Sequence, residues 1–87
     1  NTVNVLDTNT LSSTTIAGNG LAQPHGSALS PDGRFLYISN NNLNGTFDPP
    51  SGDDVGSVVV IDTQSNEIET VIEVGEEPAG INTRWQP

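Results

Sequence analysis

Apolar and polar residues alternate along this chain or cluster in short bursts, and no stretch keeps a 3.6-residue apolar period over even two turns. The pattern predicts strands and turns throughout, and no helix. The densest burst, Val58-Val59-Val60-Ile61, is apolar at four consecutive positions, as a strand covered on both faces requires. Over residues 34–40, Phe35, Tyr37 and Ser39 alternate with Leu36 and Ile38. Over 67–74, Ile68, Thr70 and Ile72 are expected on one side and Glu67, Glu69, Val71 and Glu73 on the other, a half-exposed outer strand. Residues 2–6 and 11–17 read as two further strands, and Ala28 and Leu29 are expected to face inward after Pro24-His25-Gly26. Turn chemistry separates these runs. Asp7-Thr8-Asn9-Thr10 and Asp62-Thr63-Gln64-Ser65-Asn66 suit Asx-turns, in which a carboxylate accepts a nearby backbone N–H. In Ser30-Pro31-Asp32-Gly33 the proline presets φ and the glycine tolerates the left-handed position. Gly18-Asn19-Gly20 and Gly75-Glu76-Glu77-Pro78 break their strands. The exception is 41–56, a long polar loop with several Asn, Asp and Pro; loops of this length in compact domains are often functional.

The chain repeats itself. Thr2-Val-Asn-Val-Leu-Asp-Thr8 matches Ser57-Val-Val-Val-Ile-Asp-Thr63 at six of seven positions, counting close relatives. Each copy leads to a second β-rich run and then to Pro-x-Gly, at Pro24-His25-Gly26 and Pro78-Ala79-Gly80. The displacement is 55 residues at the aspartates and 54 at the glycines. A period near fifty built of short strands and turns marks a β-propeller blade. One blade cannot bury both its faces, so Val58, Val60, Leu36 and Ile38 are expected to stay wet in the isolated chain, leaving it unstable as a monomer.

Composition narrows the partners. The chain has 87 residues, no cysteine, eleven acids and two arginines, for a net charge of −9. A domain this small is marginal without staples, and no disulfide can supply one. Arg34 and Arg84 cannot neutralise a run of phosphates, which excludes a nucleic-acid footprint and disfavours anionic membrane. No apolar run is long enough to span a bilayer as a helix, so no membrane insertion is expected, and no signal peptide lies in this segment. The chain opens inside a repeat, so a fragment or mature product is expected. Abundant Asn, Thr, Ser, Gly and Asp without lysine resemble the composition of proteins outside the cytoplasm.

These residues resemble the YVTN/YncE-like β-propeller repeat. The resemblance rests on Pro24-His25-Gly26, Ser30-Pro31-Asp32-Gly33, Leu36-Tyr37-Ile38-Ser39-Asn40, Ser57-Val58-Val59-Val60-Ile61-Asp62-Thr63 and Ile72-Glu73-Val74-Gly75. It implies an all-β chain whose blades have four antiparallel strands, with about one and a half blades present as a fragment of a larger propeller. Residues 1–17 would be the outer half of one blade. Residues 24–75 would be a complete blade with 41–56 inserted, and 78–87 the start of the next blade or a tail. The family pattern would continue Ala-x-Ser-Pro-Asp-Gly after Ile81; Asn82-Thr83-Arg84-Trp85-Gln86-Pro87 stands there instead, so the propeller ends here or the chain is cut. The family hosts surface-layer proteins, periplasmic binding proteins and domains beside redox enzymes, so the fold leaves function open.

Candidate chemistry is sparse. His25 is the lone histidine: either an inner-rim axial ligand or proton carrier, or a turn residue bonded to a neighbouring blade. Asp48, Asp53 and Asp54, with carbonyls near Asn44, offer oxygen ligands of the kind calcium takes; the alternative is a solvated loop. Asn44-Gly45-Thr46 fits the N-glycosylation acceptor pattern. Asp7 and Asp62 occupy equivalent repeat positions and are expected to cap turns. Glu67, Glu69, Glu73, Glu76 and Glu77 form an acidic edge that blocks strand pairing or docks a basic protein. Trp85 is expected to anchor into a neighbour. The residues taken together predict a non-catalytic propeller segment. It would act as an extracytoplasmic (periplasmic or cell-surface) interaction or structural module, with other blades of a parent chain or partner subunit against it. The alternative is part of a periplasmic redox or hydrolytic propeller enzyme whose active groups lie on other blades.

Overall fold

The computed structural model describes residues 1–84; the expectation for Trp85 lies outside them. Six strands form in chain order: β1 (Val3–Leu6), β2 (Ser13–Ile16), β3 (Pro24–Leu29), β4 (Phe35–Asn40), β5 (Ser57–Asp62) and β6 (Glu67–Glu73). The described residues contain no helix. β1 and β2 pair as an antiparallel hairpin, and β3-β4-β5-β6 form an antiparallel meander in that order. This is an all-β chain of about one and a half propeller blades, the meander being the complete one.

The core lies between the hairpin and one face of the meander. Ile16, Leu21, Ile38, Val59 and Ile61 are buried there, with Val3, Val5, Leu36, Ile68 and Val71 packed against them. The link between the sheets crosses this face. A Cβ on Gly20 would meet the Val71 and Val59 methyls at 2.7–2.9 Å, and one on Gly18 would meet Ile68 at 2.9 Å, so the link lies flat only because both are glycine. Their φ angles of +95° and +151° suit glycine as well.

Three expectations change here. Leu36 and Ile38 do not stay wet: the chain's own hairpin covers the face they share, and Ile38 is 5% exposed. Val60, on the opposite face beside Tyr37 and Thr70, is also only 7% exposed. The alternation over β6 also breaks. Val60 pairs with Thr70 but Ile61 with Ile68, so Glu69 is an extra, bulged residue. The bulge moves Ile68 to the core side with Val71, and leaves Thr70 and Ile72 on the opposite face. A second bulge, at His25, lies in β3 between Pro24 and Gly26. Ala28 is half-buried, but Leu29 is 49% exposed rather than inward, on the stretch of β3 that the short hairpin does not cover.

Residues 78–84 add no strand. They lie beside β3 instead: the Ser39 hydroxyl donates to the Ala79 carbonyl, and Thr83 Oγ1 donates to the Leu29 carbonyl at 2.6 Å. Gly26 has no room for a Cβ because the Ala79 carbonyl oxygen occupies that space.

Candidate functional site

The structure gathers most of its buried polar chemistry at one end of the meander. Ser39, Asn40 and Ser57 are at most 1% exposed. Buried polar groups need partners, and each of these has them. Asn40 accepts from the Ala22 N–H at 3.1 Å and donates to the Ile38 carbonyl at 2.9 Å. Ser57 Oγ donates to the Gly20 carbonyl at 2.7 Å. Ser39 Oγ accepts from the Gly26 N–H at 3.0 Å. Together they clamp the link between the sheets and the 78–84 segment to the ends of β4 and β5.

The loop 41–56 grows from this clamp and is ordered around Asn42. The Asn42 amide donates to the carbonyls of Phe47 and Val55 at 2.8 and 2.9 Å, and its oxygen accepts from the Phe47 N–H at 2.8 Å. Phe47, 4% exposed, plugs the loop, and the Ser51 hydroxyl meets the Glu73 carboxylate. The polar tally along 41–56 hid this small interior: of its apolar side chains Phe47 is buried, whereas Leu43 is 58% exposed. Asn44 N–H donates to Gln23 Oε1 at 2.8 Å, which ties the loop to the link. An open cleft of about 500 Å3 results, lined by the loop residues Asn42, Asn44 and Asp54 and by Glu76 and Glu77 from the turn after β6.

The sequence candidates fall differently. Asp48, Asp53 and Asp54 are all exposed, and among the described residues no group of three or more His, Cys, Asp or Glu stands where it could hold a metal ion. The expected calcium ligands are therefore not brought together: the turn from Pro49 to Gly52 separates Asp48 from the other two. Asn44 is exposed at the cleft, beside Gly45 in a left-handed turn. His25 is exposed in its bulge on β3, the edge strand of the meander.

Asp7 and Asp62 cap turns of one design. Asp7 Oδ1 accepts from the N–H groups of Asn9 and Thr10, and Asp62 Oδ1 from those of Gln64 and Ser65. In each turn the carbonyl of the Asp accepts from the N–H four residues on, at Leu11 and Asn66, which both have positive φ. The amides of Thr10 and Asn9 hold the Asp7 carboxyl below its usual range. Asp62 is lowered chiefly by the Arg34 guanidinium, which forms an ion pair with it at 3.0 Å, and then by the Gln64 amide. Arg34 also lies over the Phe35 ring, 5.3 Å from its centroid. Asp32 is lowered chiefly by the Ser30 hydroxyl within the Ser30-Pro31-Asp32-Gly33 turn.

The remaining surface of note is the second face of the meander. Side chains opposite one another in an antiparallel pair share a face, so Tyr37, Val58, Val60, Thr70 and Ile72 lie together on the side away from the hairpin. Val58 and Tyr37 are half-buried and Ile72 is 47% exposed.

No protein-family model matches the chain. It is 36% identical over 62 residues to Antigen Lp49 of Leptospira interrogans serogroup Icterohaemorrhagiae serovar copenhageni (strain Fiocruz L1-130), covering 69% of this chain and 14% of that protein. Its fold matches Kuenenia stuttgartiensis hydrazine synthase with a TM-score of 0.69 and 34% identity, covering 93% of this chain and 19% of that one. The chain thus spans less than a fifth of either protein's length, and both likenesses are compatible with a propeller-type repeat.

Proposed function

We propose that this chain is a non-catalytic propeller segment of the YVTN type, a structural and protein-interaction module outside the cytoplasm whose second meander face receives a further blade. One observation carries the reading. Pro78-Ala79-Gly80 repeats the Pro24-His25-Gly26 that opens β3, and Ala79 lies against Gly26 and Ser39 on that second face. A segment carrying the same motif as the start of β3 thus lies on the surface where a neighbouring blade would stack, which supports the reading. The partly exposed Val58 and Ile72 supply apolar area that such a blade would cover. The blade comes from the same longer chain or from a partner subunit. The cleft and the loop 41–56 then form the variable contact surface at one rim. Likeness to a protein named as an antigen supports a location at the cell surface.

A photo-crosslinking residue at position 72 in the native assembly tests the reading. The expected product joins position 72 to a strand of another blade. A product joined only to unrelated surface loops, or no product, overturns it. The likeness to a hydrazine synthase favours a second reading, in which the segment belongs to a redox enzyme whose active groups lie on other blades. A haem or quinone absorbance band in the intact parent protein would select that reading.

A further inference from the structure

Asparagine followed by glycine occurs twice in the chain, at Asn19-Gly20 and at Asn44-Gly45. In such a pair the glycine backbone nitrogen can attack the asparagine side-chain carbonyl carbon, and the missing Cβ leaves that approach unhindered. The fold treats the two pairs in opposite ways. Asn19-Gly20 lies in the link that crosses the core. Gly20 is buried at a φ of +95°, with the Val71 and Val59 methyls 2.7–2.9 Å from where a Cβ would stand. Its carbonyl accepts from Ser57 Oγ at 2.7 Å, and the Leu21 N–H just beyond donates to the Gly18 carbonyl at 3.3 Å. Turning the Gly20 nitrogen onto residue 19 would drive this packed segment into its neighbours. Asn44-Gly45 lies on the loop between β4 and β5, and both residues are exposed. Nothing stands within 4 Å of a Cβ built on Gly45, whose N–H is held by one long bond, to the Asn42 carbonyl at 3.2 Å. The Asn44 N–H is held by Gln23, but that bond lies on the other side of residue 44 from the peptide that must turn.

We propose that Asn44 is a site of spontaneous deamidation, and that the fold protects Asn19 although its following residue is the same. The Gly45 nitrogen bonds to Cγ of Asn44, and the proton it gives up leaves with the side-chain nitrogen as ammonia. A five-membered imide results. Water then adds to either imide carbonyl and opens the ring, to aspartate or to isoaspartate, with no oxidant or cofactor required. Either product carries a negative charge where a neutral amide stood. Asn44 lines the cleft with Asp54, Glu76 and Glu77, so the reaction adds a fourth carboxylate to that lining. Gathered negative charge favours a basic partner group at the cleft over a neutral or acidic one. The loop leaves the sheet at the ends of β4 and β5, not on a face, so blades stacked on both faces of the meander are compatible with the reaction. The proposal stands apart from the blade-stacking reading.

The test needs no substitution, because Asn19 is the internal reference. The native assembly is incubated at mildly alkaline pH, and peptides spanning residues 19 and 44 are followed by mass spectrometry, with isoaspartate and aspartate told apart by fragmentation. Residue 44 is expected to convert at least about tenfold faster than residue 19, which reacts only when the packed link opens. Isoaspartate is expected among the products at 44, since direct hydrolysis of the side chain gives aspartate alone. In denaturant the two rates should converge, because the packing that separates them is gone. Comparable rates in the folded protein, or a faster reaction at 19, would overturn the proposal. So would aspartate without isoaspartate at 44, or a glycan already occupying the Asn44 amide. A gap that persists undiminished in denaturant would show that the fold protects nothing.

Discussion

Single residues record how the repeat has been adjusted. Leu11 and Asn66 hold the same place in two turns of one design, with φ of +61° and +56°. Asparagine tolerates that left-handed conformation; leucine does not, and Leu11 is 74% exposed with nothing to offset the strain. Leu11→Asn is expected to stabilise the chain by about 0.5–1 kcal/mol in chemical denaturation, because only the strain changes. The caps set the acid response. Asp7, Asp32 and Asp62 have lowered carboxyl pKa values in the fold. The unfolded chain therefore protonates first as pH falls below about 4, and stability from these groups, full above that value, is lost as pH falls through their folded values. Asp62→Asn should be less stable than the parent at neutral pH and converge on it toward pH ~2, since its partner Arg34 stays charged throughout. Parallel denaturation curves across that range would show that the cap and ion pair carry no pH dependence.

At the scale of elements, the link at 18–21 does most to join the hairpin to the meander. Gly20→Ala would place a methyl into Val71 and Val59 at a φ of +95°, with the carbonyl of residue 20 held by Ser57. A loss of about 2–4 kcal/mol is expected, as overpacking and backbone strain combine. Gly45→Ala, also at positive φ but with open space around it, should lose only about 1 kcal/mol. Much of this architecture was legible in the sequence. The six strands of the described residues fell where alternation and turn residues placed them, because apolar period and turn chemistry are local properties; the segment from 78, read as opening a next blade, forms no strand. The β6 bulge was not legible: Glu69 looks like any alternating glutamate, and only pairing with β5 shows it to be extra. Nor did the sequence reveal the covering of Leu36 and Ile38 by the hairpin. That depends on where the link directs β1–β2, which a repeat period does not specify. The aspartates of 41–56 suggested a cation site, yet the Asn42 hydrogen bonds and the Phe47 plug shape the loop, and the acids point to no shared centre.

For the whole molecule, the central claim is that the meander's second face meets another blade. The location of the buried core decides which variants test this. Val59 and Ile61 belong to the interior of the chain itself, so charging them would unfold it and say nothing about assembly. Ile72 lies on the second face and is half open in the chain alone, so it separates the two effects. The most direct measurement is the denaturation midpoint of the native assembly carrying Ile72→Asp. The account predicts a loss of at least about 2 kcal/mol, with release of the segment, because a covered face would have to take in an unpaired carboxylate. A loss within about 1 kcal/mol, no more than strand propensity costs on a solvent-facing position, would contradict it.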